Sequence, residues 1–280
     1  MAHGVRANGT APAIDWQQPW FAPVRQWGAS TLQAWREGAT VHAALNACTP
    51  AGTDGPAIRF APQSALAQGV AYEAHVFTQR ECPTRDNLHD FFNGLCWLCW
   101  PRAKRRINEL QAAQIARDGV QATRGPVRDT LTLLDENGAV LLAPPPLWRA
   151  LRARDWQDLF VGQRALWPHA RLVIIGHALL EKLVHPSKDL TAHVWGAAPT
   201  WYELGLAGGS PAWEAPSDGA TEAATKAADA MLAAALEETT LADKPLTPLP
   251  LMGIPGWDNN ACPSYYDDVT VFRPPRPVRE

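Results

Sequence analysis

No stretch of this chain stays apolar for the roughly 18 residues that a membrane span requires. The longest candidate, which starts at Leu172, is interrupted by His177, Glu181 and Lys182. The opening residues, Met1 to Arg6, have no apolar run behind their charge. No secretory signal is therefore read, and a cytoplasmic setting without a membrane partner is expected. Cysteine is sparse and odd in number, with five (Cys48, Cys82, Cys96, Cys99 and Cys262), which suits reduced thiols rather than a disulfide framework. Cys96-x-x-Cys99 lies inside Leu95-Cys96-Trp97-Leu98-Cys99-Trp100, without a second pair or a His-x3-His, and reads as buried packing rather than a zinc knuckle. The glycine-rich cradles of nucleotide sites are missing, and so is the Gly-x-Ser-x-Gly elbow of serine hydrolases. His-Glu-x-x-His, the zinc-deaminase pattern and an EF-hand loop are also missing. Charge is scarce at 19% of 280 residues, against roughly 25% in an ordinary soluble domain.

What the chain has instead is apolar bulk, with 13 tryptophans spread from the N-terminal arm to Trp257. A chain near this length can bury about 75% of its unfolded surface. The expected architecture is a mainly helical α+β single domain over residues 13–280, with a small antiparallel sheet or hairpin and long Pro/Trp-rich arms. Residues 1–12 are expected to be disordered, and 249–280 to form an extended C-terminal arm over the surface. Helices are expected from Thr31 to about Cys48 behind a Ser30 cap, from a Thr84 or Asp86 cap to Pro101, from Pro101 to Asp118, from Leu147 to Phe160, and over Thr221 to Thr240. Ala57 to Ala61 and Tyr72 to Thr78 read as strands, the second on a partial two-residue alternation. Arg128 to Leu134 and Ala139 to Ala143 read as a hairpin around the turn Asp135-Glu136-Asn137-Gly138. Leu172 to Leu183 is either strand then helix or one buried helix. Gly196 to Gly219 reads as a long loop or lid.

Five blocks carry a resemblance. They are Pro83-Thr84-Arg85-x-Asn87-x-His89-Asp90-x-Phe92-Asn93, Arg128-Asp129-x-x-Thr132-Leu133-x-Asp135-Glu136-Asn137-Gly138, Gly176-His177-Ala178-Leu179-Leu180-Glu181-Lys182, Leu190-Thr191-Ala192-His193 and Gly253-Ile254-Pro255-Gly256-Trp257. In this order, over about Ile14 to Pro274, the chain resembles a bacterial domain-of-unknown-function family, DUF 3025. The resemblance implies a bacterial cytosolic protein of one domain and implies no activity.

The candidate chemistry lies where ionisable residues are embedded in apolar sequence, because perturbed pKa values are expected there. Asp86, His89, Asp90 and Asn93 recur at spacings of three and four and so share one strip of a buried helix. A histidine beside a carboxylate can serve as general base or metal ligand. The bland alternative is that Asp86 caps the helix and His89 bonds a carbonyl. His177 and Glu181 lie one helical turn apart, next to the apolar run from Leu172 to Ile175. The catalytic candidates are thus His89, Asp90, His177 and Glu181. Arg85, Asn93, Arg128, Asp129 and His193 are candidates for binding substrate. The three histidines with Asp90 or Glu181 would suffice for a zinc, iron or manganese site if they converged, and spacing leaves both metal and cofactor open.

Charge is uneven. Residues 102–171 hold 12 Lys/Arg against 7 Asp/Glu, and residues 203–243 hold 1 against 8. The expectation is an enzyme of hydrolase or transferase type acting on a small polar or anionic molecule. The alternative is a non-catalytic protein that uses a basic, Trp-rich surface for a protein or RNA partner. Nucleic acid is disfavoured by the net charge of −3.

Overall fold

The computed structural model describes residues 11–49, 58–119, 125–196 and 218–274, and helices dominate them. The single helix expected over Thr31 to Cys48 is two, α1 (Arg25–Arg36) and α2 (Val41–Cys48). Gly38 separates them at φ +103°, a conformation open to glycine, and Thr40 restarts the chain by accepting from the Ala43 N–H. Ser30 lies inside α1 and donates to the Trp27 carbonyl instead of capping.

Strand β1 (Arg59–Pro62) pairs in parallel with β2 (Glu81–Thr84). Between them Tyr72–Gln79 forms helix α3, not the strand its alternation suggested. The side chains that pack inward, Tyr72, His75 and Val76, are spaced as one helical face, and Arg80 ends the helix in the left-handed region at φ +56°.

Helix α4 (Leu88–Cys99) is the apolar axis of the molecule, with Phe91, Phe92, Leu95 and Cys96 fully buried. Its cap is Asn87, whose side chain accepts from Asp90 N–H at 2.8 Å. Asp86, one of the two caps expected here, instead reaches the start of α2 and accepts from Val41 N–H at 2.7 Å. Pro101 opens α5 (Pro101–Asp118) and Gly119 stops it at φ +70°, as the sequence leads one to expect.

The expected hairpin is not there. Residues 126–137 form helix α6 (Pro126–Asn137), which runs without a loop into strand β3 (Gly138–Leu142). Pro126 at the first helical position, and Val127, Leu131 and Leu134 on one buried face, outweigh the β-branched character of Thr130 and Thr132. Helix α7 (Pro145–Ala153) ends at Arg154, φ +51°, and a π-helical turn at Asp158–Gly162 replaces the rest of the helix expected to Phe160. Leu172 to Leu183 resolves as strand then helix, β4 (Arg171–Ile174) and α8 (His177–Lys182).

Strand β5 (Thr191–Trp195), helices α9 (Asp218–Ala235) and α10 (Glu238–Ala242), and strand β6 (Leu246–Pro250) complete the elements. The larger sheet has the order β4-β3-β5-β6, with β3 and β5 parallel and both outer pairs antiparallel. Every residue of β3 is buried, as its central place requires. Most of the lid expected over Gly196 to Gly219 lies outside the described residues, as does nearly all of residues 1–12. The described part of the C-terminal stretch alternates buried anchors with exposed residues such as Cys262 and Val269. Leu249, Leu251, Ile254, Tyr266 and Phe272 are buried, and Phe160 stacks on Tyr266 at 5.2 Å.

The charge asymmetry has an intramolecular use. Asp229 of α9 accepts from the Arg102 and Ala103 backbone N–H groups at 3.0 and 2.7 Å, so it caps the start of α5. Arg117 of α5 pairs with Glu238 at 3.3 Å, and Arg106 donates to the Leu236 carbonyl at 3.1 Å.

Candidate functional site

Gly176 decides where the site forms. Its N–H and that of Ile175 both donate to the Gly138 carbonyl, at 2.9 and 3.1 Å, so the start of α8 is pinned to the junction of α6 and β3. A Cβ on Gly176 would come within 2.5 Å of the Glu136 carbonyl oxygen and the Gly138 nitrogen. This approach sets His177, the next residue, beside Asp135 at the end of α6. Gly176→Ala is expected to destabilise the fold by about 1–3 kcal/mol, because backbone rather than a flexible side chain must yield. Urea unfolding would check this, and a change below about 0.5 kcal/mol, the scatter of neutral substitutions, would contradict it.

Helix α4 packs against α8 and brings His89 to the same place. His89 Nδ1 lies 2.9 Å from Glu181 Oε2, and His89 Nε2 lies 3.1 Å from His177 Nε2. His177 Nδ1 faces Asp135 Oδ2 at 3.7 Å, too long for a hydrogen bond. Asp135 Oδ1 accepts from Lys104 Nζ at 2.5 Å, and the same ammonium donates to Asn93 Oδ1 at 2.9 Å. Asn93 Nδ2 donates to the Tyr72 hydroxyl at 3.1 Å, and that hydroxyl lies 3.0 Å from Cys82 Sγ. One polar chain thus runs from Glu181 through His89, His177, Asp135, Lys104 and Asn93 to Tyr72 and Cys82, inside an otherwise apolar core.

Exposure falls sharply along it. The His89 and Glu181 side chains are 39% and 35% exposed, whereas those of His177 and Lys104 are 7% and 6% exposed. Glu181 also lines an open cleft of about 590 Å³ with Leu179, Lys182, His185, Ser187, Asp189, Leu190 and Thr191. The titration of the inner groups follows from this gradient. Burial pushes His177 down to about 4, against the pull of Asp135, so the ring is neutral at pH 7. Burial alone would raise the Asp135 carboxyl, but Lys104 and His177 together hold it below the usual carboxylate range. Burial raises the Tyr72 hydroxyl and takes the Cys82 thiol to about 11, so both keep their protons.

Of the candidates read from the sequence, the structure brings together His89, His177, Glu181 and Asn93. It does not bring Asp90 or Arg85 to them. Asp90 turns back to the start of its helix, accepting from Arg85 N–H at 2.6 Å and from the Arg85 guanidinium at 2.8 and 3.0 Å. Arg128 ties α6 to α3 through Glu73 at 3.7 Å, and Asp129 pairs with Lys244 at 3.0 Å on the surface. His193 sits on β5 opposite Gly138, its ring lowered in pKa by burial and by Lys182. Among the described residues no hydrogen bond or ion pair joins His193 to the other two histidines. Nor do the described residues contain a group of three or more His, Cys, Asp or Glu arranged to hold a metal ion.

Sequence reading missed Asp135, Lys104, Tyr72 and Cys82. Asp135 was hidden by the misread hairpin, although it follows Leu131 by four residues on the buried face of α6. Lys104 stood in the run Arg102-Ala103-Lys104-Arg105-Arg106 and read as solvated. Its spacing of three, four and seven to the buried Ile107, Asn108 and Gln111 marks it as inward-facing.

No helix among the described residues is long and apolar enough to cross a membrane. No curated protein and no solved structure shows a significant match to the chain. The family described as "Protein of unknown function (DUF3025)" matches residues 58–276, a span that begins later than the Ile14 expected and contains the whole polar chain from Tyr72 to Glu181. The chain belongs to that family.

Proposed function

We propose that this protein is an enzyme of the hydrolase or transferase type, acting in the bacterial cytoplasm on a small polar or anionic substrate held in the Glu181 cleft. One observation carries the reading: Glu181 opens on the cleft while its carboxylate is bonded to His89, and His89 is backed in turn by a neutral, buried histidine. A carboxylate–imidazole couple reachable from solvent on one side and fixed from the core on the other suits general acid–base work. In this role the couple takes a proton from the attacking water or hydroxyl and returns it to the leaving group. His177 fixes the His89 ring, and Asp135 with Lys104 fixes His177. Lys182 supplies a cation at the cleft wall, and Ser187 and Thr191 supply hydroxyls. The cytoplasmic setting agrees with five cysteines that are all free.

The alternative of a basic RNA-binding surface has less support. Lys104 is consumed in the core, and Arg106 and Arg117 are engaged by the acidic segment that covers α5.

The test is turnover of small chromogenic esters, phosphate esters and glycosides by the full chain and by Glu181→Gln and His89→Gln. The expected result is turnover of one class that falls at least 100-fold in both variants, within the range for loss of a general acid–base group. The melting temperature should stay close to that of the parent, since both side chains are over a third exposed. Turnover of no class, or variants as active as the parent, would sink the reading.

A further inference from the structure

Among the described residues, the Glu181 cleft is lined by one lysine, Lys182, and by no arginine. Lys182 forms no ion pair with any of them. Its exposed ammonium donates instead to the neutral Asn137 Oδ1 at 3.0 Å. Both carboxylates of the cleft are engaged elsewhere. Glu181 is bonded to His89, and Asp189 accepts from the Ser187 hydroxyl at 2.6 Å. Asn137 is the last residue of α6, directly before Gly138, whose carbonyl pins the start of α8. The junction that sets His177 beside Asp135 therefore also aims Lys182. Thr191 lines the cleft, and His193 stands two residues further along β5, on the same face of the sheet. Burial lowers the His193 ring and the charge of Lys182 lowers it further, which places the two within electrostatic reach. His193 Nδ1 has no hydrogen-bond partner among the described residues.

We propose that Lys182, aimed by Asn137, binds an oxyanion group of the substrate, a carboxylate or a phosphate, as a handle beside the His193 ring. The inference rests on the reading of Glu181 and His89 as the acid–base couple and narrows its substrate from polar molecules in general to anionic ones. Asn137 suits the role because it orients the ammonium without cancelling its charge, as a carboxylate would. Glu181 and Lys182 are consecutive on α8 and both line the cleft. An oxyanion held on Lys182 therefore leaves the neighbouring atoms of the same molecule within reach of Glu181, which is the orienting use of a remote binding group. The oxyanion is the handle and not the reacting centre. Phosphoryl transfer spreads charge over three oxygens and calls on several cationic groups around them, whereas this lining supplies one lysine. The substrate class is thus a small molecule with a free carboxylate or phosphate a few bonds from the bond that is cleaved or transferred.

The test begins with binding alone. Inorganic phosphate and acetate are titrated separately into the full chain while the histidine ring signals are followed by NMR. The expected result is a saturable movement of the His193 signals in the parent. Affinity should fall about fivefold in Lys182→Met, the upper end for a solvent-reachable ion pair. Lys226→Met, which removes an exposed charge on α9 where Lys226 meets Glu222, should bind as the parent does. The tighter of the two anions identifies the handle as phosphate or carboxylate. Turnover is then compared for two chromogenic esters that differ only in carrying that anion at the far end. The parent should prefer the anionic ester about fivefold in kcat/KM, and Lys182→Met should lose the preference. No saturable movement in the parent, or equal affinity in Lys182→Met, overturns the handle. Anion binding without turnover would overturn only the enzyme reading, and turnover without the preference would overturn only the handle.

Discussion

Replacing Lys104 with methionine will destabilise the fold by about 3–5 kcal/mol at pH 7, the cost of leaving one partner of a buried ion pair alone. The Lys104 side chain is 6% exposed, and its ammonium is engaged by Asp135 at 2.5 Å and by Asn93 at 2.9 Å, with the Trp97 ring 5.4 Å away. Methionine fills much the same volume, so the loss reports the charge and not a cavity. With the ammonium gone, the Asp135 carboxylate stays negative in the core or takes up a proton. The penalty should therefore shrink as pH falls toward 4. Lys104→Met combined with Asp135→Asn removes both charges and should recover most of the loss, so that the double variant costs far less than the sum of the two single ones. Urea unfolding of the four proteins gives the cycle. A single-variant loss under about 1 kcal/mol would mean that the pair is no better than a surface one.

The second large effect is a loss of stability on acidification between about pH 6.5 and 4, removed in His177→Gln. In the fold His177 is held to about 4 by burial, whereas in the unfolded chain it titrates near 6.5. Between those values the unfolded state binds the proton that the native state refuses. Stability is therefore full above about 6.5 and declines as pH falls to 4. At 1.36 kcal/mol per pH unit the decline is about 3 kcal/mol. Asp135, held below its ordinary value, acts in the same direction but at lower pH, so the two contributions separate. His193 is also lowered by burial and adds to the upper window, which makes His193→Ala the control. Denaturant titrations every half pH unit would show the slope. A His177→Gln protein with the parent's full slope would contradict the assignment.

The outer half of the site was legible because local spacing carries it. His89 and Asn93, and His177 and Glu181, each lie four apart on a helix within apolar sequence, and such pairs share a face however the helix packs. Asp90 and Asp86 have the same spacing but serve backbone groups near helix starts, a use that local pattern does not distinguish from catalysis. The inner half depends on what packs against what. Asp135 acquires its place from the contact between α6 and α8 made at Gly176, and Lys104 from the crossing of α4 and α5. Thr130 to Leu134 shows why the hairpin was expected, since β-branched residues favour a strand locally, and burial of the 127, 131, 134 face reverses that preference.

The polar chain also bears on the order of events in folding. Its eight side chains come from α3, β2, α4, α5, α6 and α8, and the link from His89 to Glu181 closes over 92 residues. Closing so long a loop costs entropy before the contact returns anything. Helix pairs such as α1 with α2 and α4 with α5 are expected to form early, and the His89–Glu181 and His177–Asp135 contacts only once α8 docks. Interactions that form after the folding barrier leave the folding rate alone and slow only escape from the native state. On this argument the polar chain is expected to govern how long the molecule, once folded, stays folded.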